Sequence, residues 1–138
     1  SDMFATAFYA ELNLHDGCLR YVRAGHDEPL LCTPDGTIKR LTGRGRFLGA
    51  IDGFDVEERA VCVEPGSALV IYSDGITDAV APDGRPYPVD SLATVIRDQL
   101  AGGAASIADA IMRDVAAHTA GAPLADDVTV LVVKRSVD

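Results

Sequence analysis

The chain has 138 residues, 48% hydrophobic and 24% charged, with a formal net charge of -9. That length suits one domain, residues 1–138, with an ordinary buried core, and the balance of apolar to charged residues excludes a disordered chain. No apolar stretch approaches the roughly 18 to 20 residues that cross a bilayer, and no Lys/Arg cluster exists to neutralise nucleic-acid phosphates.

The first half reads as β-structure. Phe4, Phe8 and Leu12 fall on one face of a strand over residues 4–12. His15-Asp16-Gly17 then turns the chain into a second strand over 19–24, making a hairpin. Short strands follow at 30–32 and 37–41, joined by Pro34-Asp35-Gly36. Residues 43–46 form a loop, 56–63 another strand, and Glu64-Pro65-Gly66 a turn into the apolar run 68–73. The second half changes period. Val89, Leu92, Ala93, Ile96 and Leu100 have the spacing of an amphipathic helix that Gly102-Gly103 ends. Ser106 to Asp109 resembles a capping box, and Ile107, Ile111 and Val115 give the next helix its apolar stripe. A last strand closes the chain. The fold class is α+β: an antiparallel, sheet-rich domain with a helical pair laid on one face.

Cys18, Cys32 and Cys62 are an odd number, far apart, each in an apolar or strand-like stretch. They fit neither a disulfide framework nor a zinc site, and read as reduced, buried thiols of a cytoplasmic protein. Ser1-Asp2-Met3-Phe4 lacks a basic n-region and a signal-peptide pattern.

Asp-Gly occurs five times, at Asp16, Asp35, Asp52, Asp74 and Asp83. Asp16, Asp35, Asp52 and Asp83 read as turns, where Asp bonds its own backbone and Gly takes a positive φ. Asp74 differs because it follows the most continuous apolar strand in the chain; it reads equally as a turn or as a functional carboxylate at a sheet rim, with Gly75 allowing close approach. Asp126-Asp127 opens the last strand as Asp74 ends its own. If the two strands pair antiparallel, Asp74 and Asp126 meet at one rim, where carboxylates repel unless a cation lies between them. Oxygen donors of this kind suit Mg²⁺ or Mn²⁺. Paired acids at a solvated strand start are the alternative for Asp126-Asp127, and alternation along a strand lets only one of the two face Asp74. Thr129 reads as pairing across the sheet. His26, after Gly25 at a strand exit, reads as a turn histidine bonded to backbone. Thr77 and Asp78 read as a loop or short helix supporting Asp74; Asp78 suits either a metal-bound water or a helix N-cap.

Ala24-Gly25-His26, Leu48-Gly49, Pro65-Gly66, residues 72–79 (Tyr-Ser-Asp-Gly-Ile-Thr-Asp-Ala) and Asp126-Asp127-Val128-Thr129 occur in this order. Together they resemble the C-terminal part of the catalytic domain of a SpoIIE-like serine/threonine phosphatase of the PPM (type 2C) superfamily. The resemblance implies an antiparallel β-sandwich flanked by helices, with two Mn²⁺ or Mg²⁺ ions at one end. It implies Asp74 and Asp126 as metal ligands, with Gly75, Asp78 and Asp127 as neighbours or further ligands. No catalytic side chain beyond these is implied, and no Cys or Ser nucleophile motif is present. It implies a phosphorylated bacterial regulator, such as an anti-sigma-factor antagonist, as the partner. The family's earlier Gly-Asp motif has no counterpart before Phe4, so the chain reads as the later part of a larger domain, weak or inactive alone and prone to self-association. The alternative is a non-catalytic, pseudophosphatase-like binding or signalling module.

Overall fold

A computed structural model describes residues 3–49 and 55–138, so the Asp52-Gly53 turn lies outside the described residues. Along those residues run β1 (Ala7–Leu12), β2 (Cys18–Ala24), β3 (Leu30–Cys32), β4 (Ile38–Arg40), β5 (Arg59–Cys62), β6 (Ala68–Tyr72), α1 (Asp74–Thr77), α2 (Val89–Asp98), α3 (Ala104–His118) and β7 (Val130–Lys134). The strands form two antiparallel sheets, β1-β2-β5 and β4-β3-β6-β7. This is the sheet-rich α+β layout with a helical pair on one face that the periodicities predict, closed into the sandwich that the family resemblance implies.

The alternating strands pack one face against the other sheet. Phe8, Leu12, Leu19, Tyr21, Val61 and Val63 meet Leu31, Leu41 and Leu69 between the two sheets. The other face of the four-stranded sheet carries Leu30, Cys32, Val70 and Tyr72, covered by Leu92, Ile96, Ile107, Ile111 and Val115 of α2 and α3. Strands β3 and β6 are therefore buried on both sides, which is why they read as unbroken apolar runs rather than alternating ones. Leu30, Leu31, Ile96 and Ile111 are fully buried, and each such side chain contributes about 1.5 to 3 kcal/mol by leaving water.

Turn chemistry holds at the three described Asp-Gly turns. Asp16 Oδ1 accepts from Cys18 N (2.8 Å), Asp35 Oδ1 from Thr37 N (3.0 Å), and Asp83 Oδ1 from Arg85 N (3.1 Å). The following glycines have φ of 78°, 87° and 90°. Thr33 Oγ1 also donates to Asp35, and these bonds to its charged form hold that carboxyl down at about 2.

Several local expectations are corrected. Phe4 precedes β1 and is exposed, its ring resting 5.0 Å from that of Phe47 rather than in the core. The strand over 56–63 narrows to β5. No capping box forms: α3 begins two residues ahead of Ser106, with Gly103 at its N-cap and no side-chain cap. Of the three cysteines only Cys32 is buried; Cys18 is half-buried and Cys62 exposed.

At the end of the sandwich away from the tip of β6, Arg135 ties the sheets together. Its Nη1 donates to the Val63 carbonyl (2.7 Å) and reaches the Asp16 carbonyl (3.4 Å). Its backbone exchanges bonds with Ser67 and Gly66.

Candidate functional site

The acidic rim is built by one strand pair. Strands β6 and β7 run antiparallel from Ala68↔Lys134 to Tyr72↔Val130, so the chain leaves β6 where it is about to enter β7. Beyond the last register pair the two segments stay joined: Ser73 N donates to Thr129 O (3.0 Å), and Thr129 N donates to Ser73 Oγ (2.9 Å). Thr129 thus pairs across the sheet, as its sequence position predicts. Asp74 follows at the first position of α1, and Asp126-Asp127 lie in the loop before β7. All three carboxylates are exposed.

Gly75 explains how closely these segments approach. A Cβ there would lie 2.0 Å from the Asp127 carbonyl oxygen and 2.9 Å from its carbon. Only a residue without a side chain lets α1 rest on the loop that carries Asp126 and Asp127. Its φ is not positive, so packing, not backbone strain, requires glycine here.

Two expectations about this rim change. The last strand begins at Val130, not at Asp126, so strand alternation does not decide which of the paired acids faces Asp74. Instead Asp126 Oδ1 accepts from Asp127 N (2.8 Å), fixing the loop locally. Asp78 stands at the C-terminal end of α1, its N–H bonded to Asp74 O (2.8 Å), which removes the N-cap reading.

A cleft of about 390 Å³ opens beside the rim, lined by Thr6, Gly25, His26, Asp27, Phe47 and Asp74 among others. Gly25 (φ 71°) admits the Phe47 ring, which would lie 2.4 Å from any Cβ at that position. His26 Nδ1 donates to the Asp27 carbonyl (2.9 Å), and Arg23 Nη1 donates to His26 O (2.6 Å). The histidine is therefore backbone-bonded, as its turn reading has it, though it also forms part of the cleft wall. Asp27 is the residue that sequence reasoning missed. Burial pushes its carboxyl up and the charges of Asp74 and Asp78 add to this, while His26 and Arg23 oppose it. Its Oδ2 is buried without a hydrogen-bond partner. The signal in the chain was an acid directly after Gly25-His26 at a strand exit.

In donor chemistry the carboxylates fit a hard cation: Asp27, with its Oδ2 orphaned, lies in the cleft wall beside Asp74, and the charges of Asp74 and Asp78 repel it. They do not make a complete cage. Among the described residues no three His, Cys, Asp or Glu side chains gather as a metal-holding group.

The two-sheet sandwich with its helical pair is the fold of PP2C-type phosphatase domains. It superposes on the SiaA-PP2C domain of Pseudomonas aeruginosa with a TM-score of 0.80 at 23% identity, over 94% of this chain and 51% of that one. A second match is the phosphatase domain of the cell fate determinant SpoIIE from Bacillus subtilis, in a manganese-presoaked structure. There the TM-score is 0.74 at 21% identity, over 96% of this chain and 57% of that one. Residues 1–136 match the model of the stage II sporulation protein E (SpoIIE) family, and the chain belongs to that family. It is 28% identical over 138 residues to the phosphoserine phosphatase RsbU of Bacillus subtilis, covering 99% of this chain. The chain spans 41% of RsbU and less than half the length of the curated relatives it matches. Among the described residues no helix is long and apolar enough to cross a membrane.

Proposed function

We propose that residues 1–138 form the metal-binding part of a protein serine/threonine phosphatase that dephosphorylates a bacterial regulatory protein. The observation that carries this reading is the β6–β7 pairing, which sets Asp74 and Asp126 at one rim in a chain of the SpoIIE family. RsbU, a phosphoserine phosphatase, supports the substrate class, and the manganese-presoaked SpoIIE structure supports the choice of cation. A phosphorylated anti-sigma-factor antagonist is the partner this reading favours.

In this proposal Asp74 and Asp126 hold Mn²⁺ or Mg²⁺ through their carboxylates, with Asp127 and Asp78 orienting water nearby. Two such ions, when bound, supply an activated water and neutralise the phosphoryl oxygens. Gly75 keeps the two ligand segments in contact, and Ser73 holds their spacing through Thr129. Asp27 adds a carboxylate oxygen to the cleft wall, and the His26–Asp27 backbone bond fixes that wall. The alternative reading is a non-catalytic, pseudophosphatase-like module that binds a regulator or transmits a signal, while self-association belongs to the reading of this chain as part of a larger domain.

Calorimetric titration of the chain with Mn²⁺, beside Asp74→Asn and Asp126→Asn, tests the choice. Binding by the parent that both substitutions abolish, together with Mn²⁺-dependent phosphate release from a phosphoserine protein, is the expected result. A parent chain that binds no Mn²⁺ would refute a metal site built on these residues alone. Light scattering that finds a monomer at high concentration would remove the self-association arm.

A further inference from the structure

The outer face of the β1-β2-β5 sheet carries a feature that the proposed phosphatase chemistry does not use. Strands β2 and β5 pair so that Cys18 stands directly opposite Cys62. Leu19, Val61 and Val63 point into the core between the sheets, so Cys18 and Cys62 project together on the opposite face. The pair type follows from the backbone bonds. Cys18 N donates to Asp16 Oδ1, Cys18 O accepts from Asn13 N, and the flanking bond runs from Val63 N to Gly17 O (2.8 Å). The two cysteines therefore exchange no backbone bonds and form a non-hydrogen-bonded pair. In such pairs the Cα atoms lie about 4.5 Å apart and the side chains are at their closest. That spacing falls within the roughly 4.4 to 6.8 Å that a disulfide spans. Both thiols are free, Cys62 is exposed and Cys18 half-buried, so a reagent reaches the pair from solvent.

The geometry points to a reversible modification site: a vicinal dithiol, preset by strand register, that closes to a Cys18–Cys62 disulfide. The oxidant is a small-molecule disulfide. The Cys62 thiolate attacks one sulfur of that disulfide and releases the first small thiol, leaving a mixed disulfide on Cys62. The Cys18 thiolate then attacks the Cys62 sulfur and releases the second small thiol. Two cysteine thiols are oxidised, one external disulfide is reduced to two thiols, and the two cysteine protons leave with them. The bridge closes the loop from Cys18 to Cys62 at the corner that Arg135 already clamps, away from the Asp74 rim.

Glutathione disulfide added to the reduced, full chain tests this, followed by non-reducing peptide mapping and thermal melting. A peptide linking Cys18 to Cys62 is expected, with Cys32 unmodified in the native state. The melting midpoint should rise by on the order of 10 °C and return on reduction, because the bridge restricts a long loop of the unfolded chain. In Cys18→Ser, glutathione should remain on Cys62. Glutathione persisting on both cysteines of the parent, no reaction at either, or a bridge that lowers the midpoint would each overturn the proposal.

Discussion

Replacing Gly75 by alanine probes the contact on which the acidic rim depends. The new Cβ would stand 2.0 Å from the Asp127 carbonyl oxygen, where ordinary contact begins at 3.4 Å, and the obstacle is backbone rather than a pliant side chain. To relieve the overlap, α1 and the 126–129 loop must separate. That strains or breaks the Ser73 N to Thr129 O and Thr129 N to Ser73 Oγ bonds, each worth about 1 kcal/mol. Overpacking of this kind costs about 1 to 3 kcal/mol, and alanine returns about 1 kcal/mol through its higher helix propensity. The net expectation is a loss of about 2 to 4 kcal/mol, read in urea denaturation as a lower midpoint with unchanged slope. Gly84→Ala is the comparison: nothing lies within 4 Å of its Cβ, so only the φ of 90° opposes it, at about 1 kcal/mol. Calorimetry supplies the second readout, in which Gly75→Ala should weaken Mn²⁺ binding at least tenfold while Gly84→Ala leaves it unchanged. A Gly75→Ala chain with parental stability and parental Mn²⁺ affinity would refute the close-contact argument.

Tyr87→Phe should remove the bond from the Tyr87 hydroxyl to Asp114 Oδ2 (2.5 Å), which pins the loop after α1 to α3. Burial, then Asp114 itself, pushes the phenol up, so it stays a donor at every working pH. A loss of about 1 to 2 kcal/mol in chemical denaturation is expected, while the edge-on contact with His118 survives. Asp35→Asn should destabilise the chain at neutral pH, because Thr33 Oγ1 and the Thr37 amide favour the charged carboxylate. Its pKa is lowered to about 2 in the fold, so its contribution is present above the ordinary carboxylate range and is lost as pH falls towards 2. The gap between parent and variant should close over that window in pH-dependent melting, and a gap constant with pH would count against it.

The sheet-rich layout with its helical pair was legible because its signals are local, whereas the sandwich came from the family resemblance. The Asp16-Gly17, Asp35-Gly36 and Asp83-Gly84 turns need only their own side chains, and the stripe of Leu92 and Ile96 needs only helical spacing. The meeting of Asp74 with the Asp126-Asp127 loop was legible through topology, since two helices out and back return the chain to the tip of β6. Boundaries were less so. Val128 and Thr129 have the composition of strand residues, yet β7 begins only at Val130, because Thr129 is bonded to Ser73 rather than to a regular ladder partner. Asp27 was not legible, because its character comes from burial beside residues distant in sequence. The Cys18–Cys62 juxtaposition depends on register between strands far apart in the chain, which composition and spacing do not encode.

The Arg135 clamp has a consequence for how this sequence can change. Its Nη1 occupies the space where a Cβ on Gly17 would go, 2.1 Å away. Even asparagine, which tolerates the left-handed backbone at that turn, would need both the guanidinium and the Val63 carbonyl, 2.6 Å from the Cβ, to withdraw. Positions 17 and 135, one early and one nearly last in the chain, are therefore coupled through this contact, with Val63 as a third partner. Lysine at 135 would remove the guanidinium but not free the turn, because the Val63 carbonyl oxygen would still lie 2.6 Å from that Cβ. Substitutions at the two sites should be non-additive because they share this contact, while the Val63 carbonyl keeps position 17 closed to a side chain whatever stands at 135.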